Sequence, residues 1–175
     1  MIPAPRTLLI DGDIFIYRAA TAAEKPVKWD DDLWTLHAFE EPAKAHLDDM
    51  LAGLVETLNG NRMIVALTDG TNWRKSVLPT YKQNRANVRR PMLLQVLREY
   101  VLEHYETFLR PTLEADDILG ILGTHPRIIE GEKIIVSIDK DLLTIPGWHY
   151  NVNHPDEGVF EVSEENINLL GYVRD

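Results

Sequence analysis

The chain contains no cysteine, which excludes disulfides and thiolate chemistry and fits an intracellular setting. No apolar run is longer than the five residues Met63–Leu67, which excludes a membrane-spanning helix. Met1–Arg6 carries no apolar signal core, so secretion is not expected. The six histidines, at positions 37, 46, 104, 125, 149 and 154, include no zinc-type pair on one helix face. One further absence is local. From Gly70 to Arg98 there is no acidic residue, but there are seven basic ones: Arg74, Lys75, Lys82, Arg85, Arg89, Arg90 and Arg98.

That gap stands out because the whole chain is acidic. Eighteen basic and 28 acidic residues give a net charge of −10, which at face value argues against a nucleic-acid partner. A basic stripe inside such a protein needs its own explanation. The 175 residues, 45% of them apolar, suffice for one core, so residues 1–175 are expected to form one domain with a basic region at about 70–98.

Short apolar runs alternate with amphipathic stretches. Thr7–Ile10, Arg62–Leu67 and Lys133–Ile138 read as buried strands, the first running into a turn at Asp11-Gly12-Asp13. Thr107–Leu109, Trp148–Val152 and Val159–Val162 read as further strands. Helical periodicity covers Asp31–Asn59 in two pieces, the second opened by Pro42 and stopped at Gly60. Another helix should run from Pro91 to about Tyr105, with Leu94, Leu97, Val101 and Leu102 on one side, and others over Glu114–Gly123 and near Glu164–Leu170. The pattern predicts an α/β domain, a single twisted, mainly parallel sheet flanked by helices.

In such sheets ligands gather at the carboxyl ends of the strands. Three apolar strands end in Asp11, Asp69 and Asp139. A single strand-end aspartate is usually a turn or cap residue, but three should share one edge. Glu114, Asp116 and Asp117 add acids at a helix start, and Asp141 adds one beyond Asp139. Helix-dipole stabilisation explains one acid of the Glu114 cluster better than it explains three. Seven carboxylates within roughly 10 Å would repel one another unless cations neutralised them. All-oxygen donors suit Mg²⁺ or Mn²⁺, and their number suits two ions, as in phosphodiester cleavage by an activated water. The basic stripe follows directly on Asp69, with Trp73 and Tyr81 interleaved as candidate stacking residues. Cations beside carboxylates are what a polyphosphate substrate requires.

Five ordered motifs, Ile10-Asp-Gly-Asp13, Thr68-Asp-Gly-Thr-Asn-Trp-Arg-Lys75, Tyr81-Lys-Gln-Asn-Arg85, Glu114-Ala-Asp-Asp117 and Ser137-Ile-Asp-Lys-Asp141, resemble those of the flap endonuclease family with its PIN-like catalytic domain. The resemblance is closest to the 5′→3′ exonucleases of short-tailed bacteriophages, and it runs from about Leu8 to about Asn153, including a helix region at Trp29…Trp34. It implies metal binding by Asp11, Asp69, Glu114, Asp116, Asp117, Asp139 and Asp141, whereas Asp13 is not a usual ligand position. It places Lys82 and Arg85 at the base of a helical arch on the scissile phosphate and Tyr81 on a terminal nucleobase. Arg74 and Lys75 would steer the strand, with Arg89 and Arg90 as further substrate contacts. The implied partner is DNA with 5′ ends or flaps, or an RNA–DNA hybrid, and the implied setting is the host cytoplasm of a phage infection.

Relatives continue with a glycine-rich segment bearing further aspartates for the second metal, and then an element that grips duplex DNA. Here the sequence reaches Asp175 about where that segment begins. The expectation is therefore a retained first metal site and an incomplete second one, in a fragment or a short natural form, with a partner protein as one source of the duplex grip. Two alternatives accompany the nuclease reading. One is a nucleic-acid- or partner-binding module with weak or lost cleavage. The other is a haloacid-dehalogenase-type phosphatase with Asp11 as nucleophile and Asp13 as general acid, which leaves Asp69, Glu114 and the basic stripe without roles.

Overall fold

The structure is a computed structural model that describes residues 5–69, 91–125, 127–138 and 140–163, without the side chains of residues 34, 140 and 141. Strand β1 (Arg6–Asp11) leads into helix α1 (Gly12–Ala23); β2 (Glu24–Asp30) and β3 (Leu33–Ala38) form a separate hairpin; α2 (Glu40–Leu58) and β4 (Arg62–Ala66) follow. Then come α3 (Leu94–His104), β5 (Thr107–Phe108), α4 (Ala115–Thr124), β6 (Glu132–Ser137), β7 (Gly147–Asn151) and β8 (Val159–Val162). The main sheet has the order β5-β4-β1-β6-β7-β8. It is parallel except for β8, which runs antiparallel to β7.

The apolar runs become strands because both of their faces are covered. Leu8, Ile10, Val65 and Val136 point to the side packed by α1, α2 and α3. Leu9, Ile64, Ala66 and Ile135 point to the side packed by α4. The chain passes from β1 outward to β4 and β5, then returns to place β6 on the other side of β1. The strand order therefore reverses at β1, and the carboxyl ends there are the position at which open α/β sheets gather ligands.

Two sequence expectations are corrected. The residues after β1 are helix α1 rather than a turn, with Asp11 at the N-cap and Asp13 in the first turn. The first piece of the expected Asp31–Asn59 helix and the Trp29…Trp34 helix region implied by the resemblance both fall in the β2–β3 hairpin, and only the second piece is helical. Leu33 and Leu36 have helical spacing, but they stand on an exposed strand at 54% and 39% accessibility, so no buried face enforces a helix. Pro26 is tolerated because a two-stranded sheet has only edge strands. Leu102 also leaves its expected apolar stripe for solvent, whereas Arg98 of the basic stripe is buried at 4% accessibility. The expected Glu164–Leu170 helix lies outside the described residues.

Gly12 lets α1 start directly against β4. A Cβ there would stand 2.4 Å from Val65 Cγ1 and 2.8 Å from the Ala66 carbonyl oxygen. Backbone blocks one of these approaches, so Gly12→Ala is expected to cost about 2 kcal/mol through overpacking. Urea denaturation checks this, and an unchanged midpoint would show that the helix shifts freely.

Candidate metal centre

Parallel register brings the acidic strand ends to one edge. Asp11 stands beside Ala66 of β4, and Ile10 beside Val136 of β6. Asp69 follows β4 by three residues, and residue 139 follows β6 by two. Glu114 caps α4 at the same edge, since the Ala115 amide donates to Thr68 Oγ1 at 2.9 Å.

Asp11, Asp69 and Asp117 are each oriented by a hydrogen bond that their carboxylates accept. Ser137 Oγ donates to Asp11 Oδ2 at 3.2 Å. Asp69 Oδ2 accepts from the Thr112 amide at 3.2 Å, and the Asp69 amide returns a bond to the Leu113 carbonyl at 3.1 Å. Thr112 makes its contact from a φ of 68°, where a β-branched residue is strained by about 1–3 kcal/mol. Asp117 closes a capping box, accepting from the Glu114 amide at 3.1 Å. The structural reading of the Glu114 cluster thus accounts for part of Asp117, while Asp116 and Asp117 both line an open cleft of about 620 Å³ that also touches Leu113 and Thr144.

Behind the edge lies a buried network that sequence reasoning missed. Asp13 Oδ2 accepts from the Thr68 hydroxyl at 2.5 Å and from its amide at 3.2 Å. Arg98 Nη1 lies 3.7 Å from Asp13 Oδ1, and Arg98 Nη2 donates to the Thr68 carbonyl at 2.6 Å. Thr68 therefore joins α1, α3, β4 and α4. Asp13 is buried and turned into the protein. Thr68 and Ser137 appeared in the sequence only as motif residues at strand ends and Arg98 only as part of the basic stripe, because their roles depend on what they meet in the fold.

Burial pushes the Asp13 carboxyl above its ordinary value, against the Thr68 hydrogen bonds and Arg98, and Asp116 adds to the rise. Burial lowers the Arg98 guanidinium, while Asp13 and Asp69 act to raise it. The Glu114 carboxyl is raised by desolvation and by the charges of Asp116 and Asp117. An all-oxygen set whose members destabilise one another's charges fits a hard divalent cation. Among the described residues, no three carboxylates or histidines lie close enough to hold an ion by themselves. Asp139 lies outside the described residues, as does the side chain of Asp141. Arg74, Lys75, Tyr81, Lys82, Arg85, Arg89 and Arg90 lie outside them too.

A mainly parallel six-stranded sheet with acids delivered to its switch-point edge defines an α/β domain of the fold seen in the bacteriophage T5 5′-exonuclease. Residues 6–168 match the family described as 5′–3′ exonuclease, N-terminal resolvase-like domain, and the chain belongs to that family. The exonuclease of Escherichia phage T7 is 33% identical over 151 residues, spanning 82% of this chain and 50% of that protein. The flap endonuclease Xni of Shewanella halifaxensis is 30% identical over 131 residues, spanning 65% of this chain and 51% of that protein. This chain thus spans about half the length of the relatives it matches. The bacteriophage T5 flap endonuclease, solved in a pseudo-enzyme–product complex with DNA and metal ions, shares the fold with a TM-score of 0.55 at 15% identity. That match covers 90% of this chain and 57% of the other. Family membership sets aside the dehalogenase-type phosphatase.

Proposed function

We propose that this protein is a divalent-metal-dependent 5′ nuclease. It hydrolyses phosphodiesters of DNA, or of RNA in an RNA–DNA hybrid, at or near 5′ ends or flaps. The observation that carries this reading is the shared edge to which β1, β4 and the α4 N-terminus deliver Asp11, Asp69 and Glu114. Asp116 and Asp117 stand on the first turn of α4, and Asp139 and Asp141 complete the ligand set by sequence. Mg²⁺ or Mn²⁺, two ions in the full arrangement, would supply an activated water and neutralise charge on the phosphodiester.

The chain's own groups do the rest. Ser137 fixes one Asp11 oxygen, and the Thr112 amide fixes one Asp69 oxygen. Lys82 and Arg85 stabilise charge on the scissile phosphate, an effect worth a few kcal/mol, roughly 2–4, for a preorganised donor. Arg74, Lys75, Arg89 and Arg90 hold the strand through its backbone, and Tyr81 stacks on a terminal base. A partner protein carrying a duplex-gripping element, and action in the cytoplasm of a phage-infected host, belong to the same reading.

Incubation with 5′-labelled flap, nicked and single-stranded DNA tests it. Cleavage is expected with Mg²⁺ or Mn²⁺ and none with EDTA. Binding without cleavage of any substrate would favour the binding-module alternative, and EDTA-resistant cleavage would remove the metal.

A further inference from the structure

Neither Asp69 nor Glu114 stands on a strand. Asp69 lies three residues beyond the end of β4, and Glu114 is the cap of α4. Hydrogen bonds tie the two segments together. The Asp69 amide donates to the Leu113 carbonyl at 3.1 Å, the Thr112 amide donates to Asp69 Oδ2 at 3.2 Å, and the Ala115 amide donates to Thr68 Oγ1 at 2.9 Å. The first two join residues that water reaches, since Asp69 and Leu113 are half-buried and Thr112 is exposed. The third is sealed, with Thr68 and Ala115 at 0% and 3% accessibility. Glu114 is thus held through both of its neighbours, Leu113 on one side and Ala115 on the other.

The direction of the sealed bond is fixed by chemistry. An amide only donates, so Thr68 Oγ1 accepts from Ala115, and its single hydrogen goes to Asp13 Oδ2. The Thr68 amide donates to the same Asp13 oxygen, and its carbonyl accepts from Arg98. Every polar group of Thr68 is therefore engaged, and turning its side chain would break two bonds at once. The first amides of a helix have no helical partner. Thr68 satisfies one of them from the residue adjoining Asp69, so one hydroxyl couples the start of α4 to the strand-end acid. Choice between divalent ions depends on such coupling. Mg²⁺ demands near-ideal octahedral geometry with oxygens at about 2.0–2.1 Å, whereas Ca²⁺ accepts flexible shells with oxygens at about 2.3–2.6 Å. Acids tied to one another by a buried bond suit the smaller ion, and acids free to separate suit the larger.

We infer that Thr68 is a positioning residue for ion selection, its hydroxyl fixing Asp69 relative to Glu114 so that the edge favours Mg²⁺ over the larger Ca²⁺. This rests on the nuclease reading and deepens it, because it gives the choice of ion a source in a residue that is not itself a ligand.

Electron paramagnetic resonance of free Mn²⁺, bound by the DNA-free protein and then displaced by Mg²⁺ or by Ca²⁺, reads both affinities and tests the inference. Thr68→Val keeps the shape of the side chain and removes the hydroxyl. It should weaken Mg²⁺ binding about tenfold, the scale at which loss of a group that orients a ligand is felt, and should leave Ca²⁺ binding nearly unchanged. Thr68→Ser retains the hydroxyl and should retain the wild-type preference. Circular dichroism reports whether Thr68→Val is folded. If it is not, Thr68→Cys, whose thiol is a weaker donor and acceptor, carries the test with a smaller shift of the same sign. An equal loss for both ions would make Thr68 a purely structural residue and overturn the inference, as would an unchanged preference. Wild-type protein that cleaves DNA but binds neither ion on its own would overturn it as well. Cleavage of a 5′ flap by the wild-type protein with Mg²⁺ is measured alongside. If cleavage is present and the variants lose both ions equally, only this inference falls. If cleavage is absent and the Mg²⁺-selective loss is present, only the nuclease reading falls.

Discussion

Asp69→Asn is expected to reduce Mg²⁺-dependent cleavage by on the order of 10²–10³-fold, the scale at which loss of one electrostatic partner of the reacting group is felt. Asp69 is half-buried at the sheet edge, one oxygen already committed to the Thr112 amide. The amide of asparagine can keep the Thr112 bond through its Oδ1, so the fold should survive. What is lost is the negative charge and one anionic oxygen donor. Asp69 also acts on the Arg98 guanidinium, which makes a modest change in stability a second expected outcome. The measurement is single-turnover cleavage of a 5′-labelled flap over a Mg²⁺ titration, with binding to the same DNA followed in EDTA. Undiminished cleavage would remove Asp69 from the ligand set. Loss of binding equal to the loss of cleavage would make it a substrate contact.

The fold was legible where burial on both faces forced apolar runs. Leu8–Ile10, Ile64–Ala66 and Ile134–Val136 are strands in the structure and end in the acids that mark the edge. The shared edge of Asp11 and Asp69 was legible for the same reason, because parallel pairing brings strand-end residues to one side of the sheet. Asp11-Gly12-Asp13 reads as a turn, yet Gly12 serves close packing of a helix start against Val65, a contact invisible in one dimension. The hairpin was misread because both of its faces meet solvent, so the two-residue alternation that identifies strands is missing from Glu24–Ala38. Arg98 was counted in the basic stripe because charge in a sequence carries no direction. Its place beside Asp13 depends on α3 packing against α1.

Arg98 supports the other large expected effect, on stability. Its side chain and that of Asp13 are 5% and 7% exposed, and they lie 3.7 Å apart. Removing one partner of a buried ion pair strands the other, at a cost of about 3–5 kcal/mol. Arg98→Met keeps an apolar stem of similar length, but it leaves Asp13 without its cation and the Thr68 carbonyl without the donor at 2.6 Å. Burial already pushes the Asp13 carboxyl above its ordinary value, so the stranded group can take up a proton, and the loss should sit near the lower end, about 3 kcal/mol. The pH dependence follows from that sign. A carboxyl raised in the folded state contributes its stability fully below its unfolded value of 3.8 and loses it as pH rises through the raised folded value. Removing Arg98 raises it further, so the Arg98→Met penalty should shrink as pH falls toward 3.8 and be largest near neutrality. Asp13→Asn preserves an acceptor for both Thr68 donors and removes only the charge, so the double substitution should cost less than the two single ones added together. Urea midpoints for the four proteins across pH provide the measurement. A wild-type midpoint for Arg98→Met, or strict additivity, would show that the network does not anchor the fold. Because Thr68 immediately precedes Asp69 and also receives the Ala115 amide next to Glu114, loosening it should also raise the Mg²⁺ concentration needed for cleavage, even in protein that remains folded.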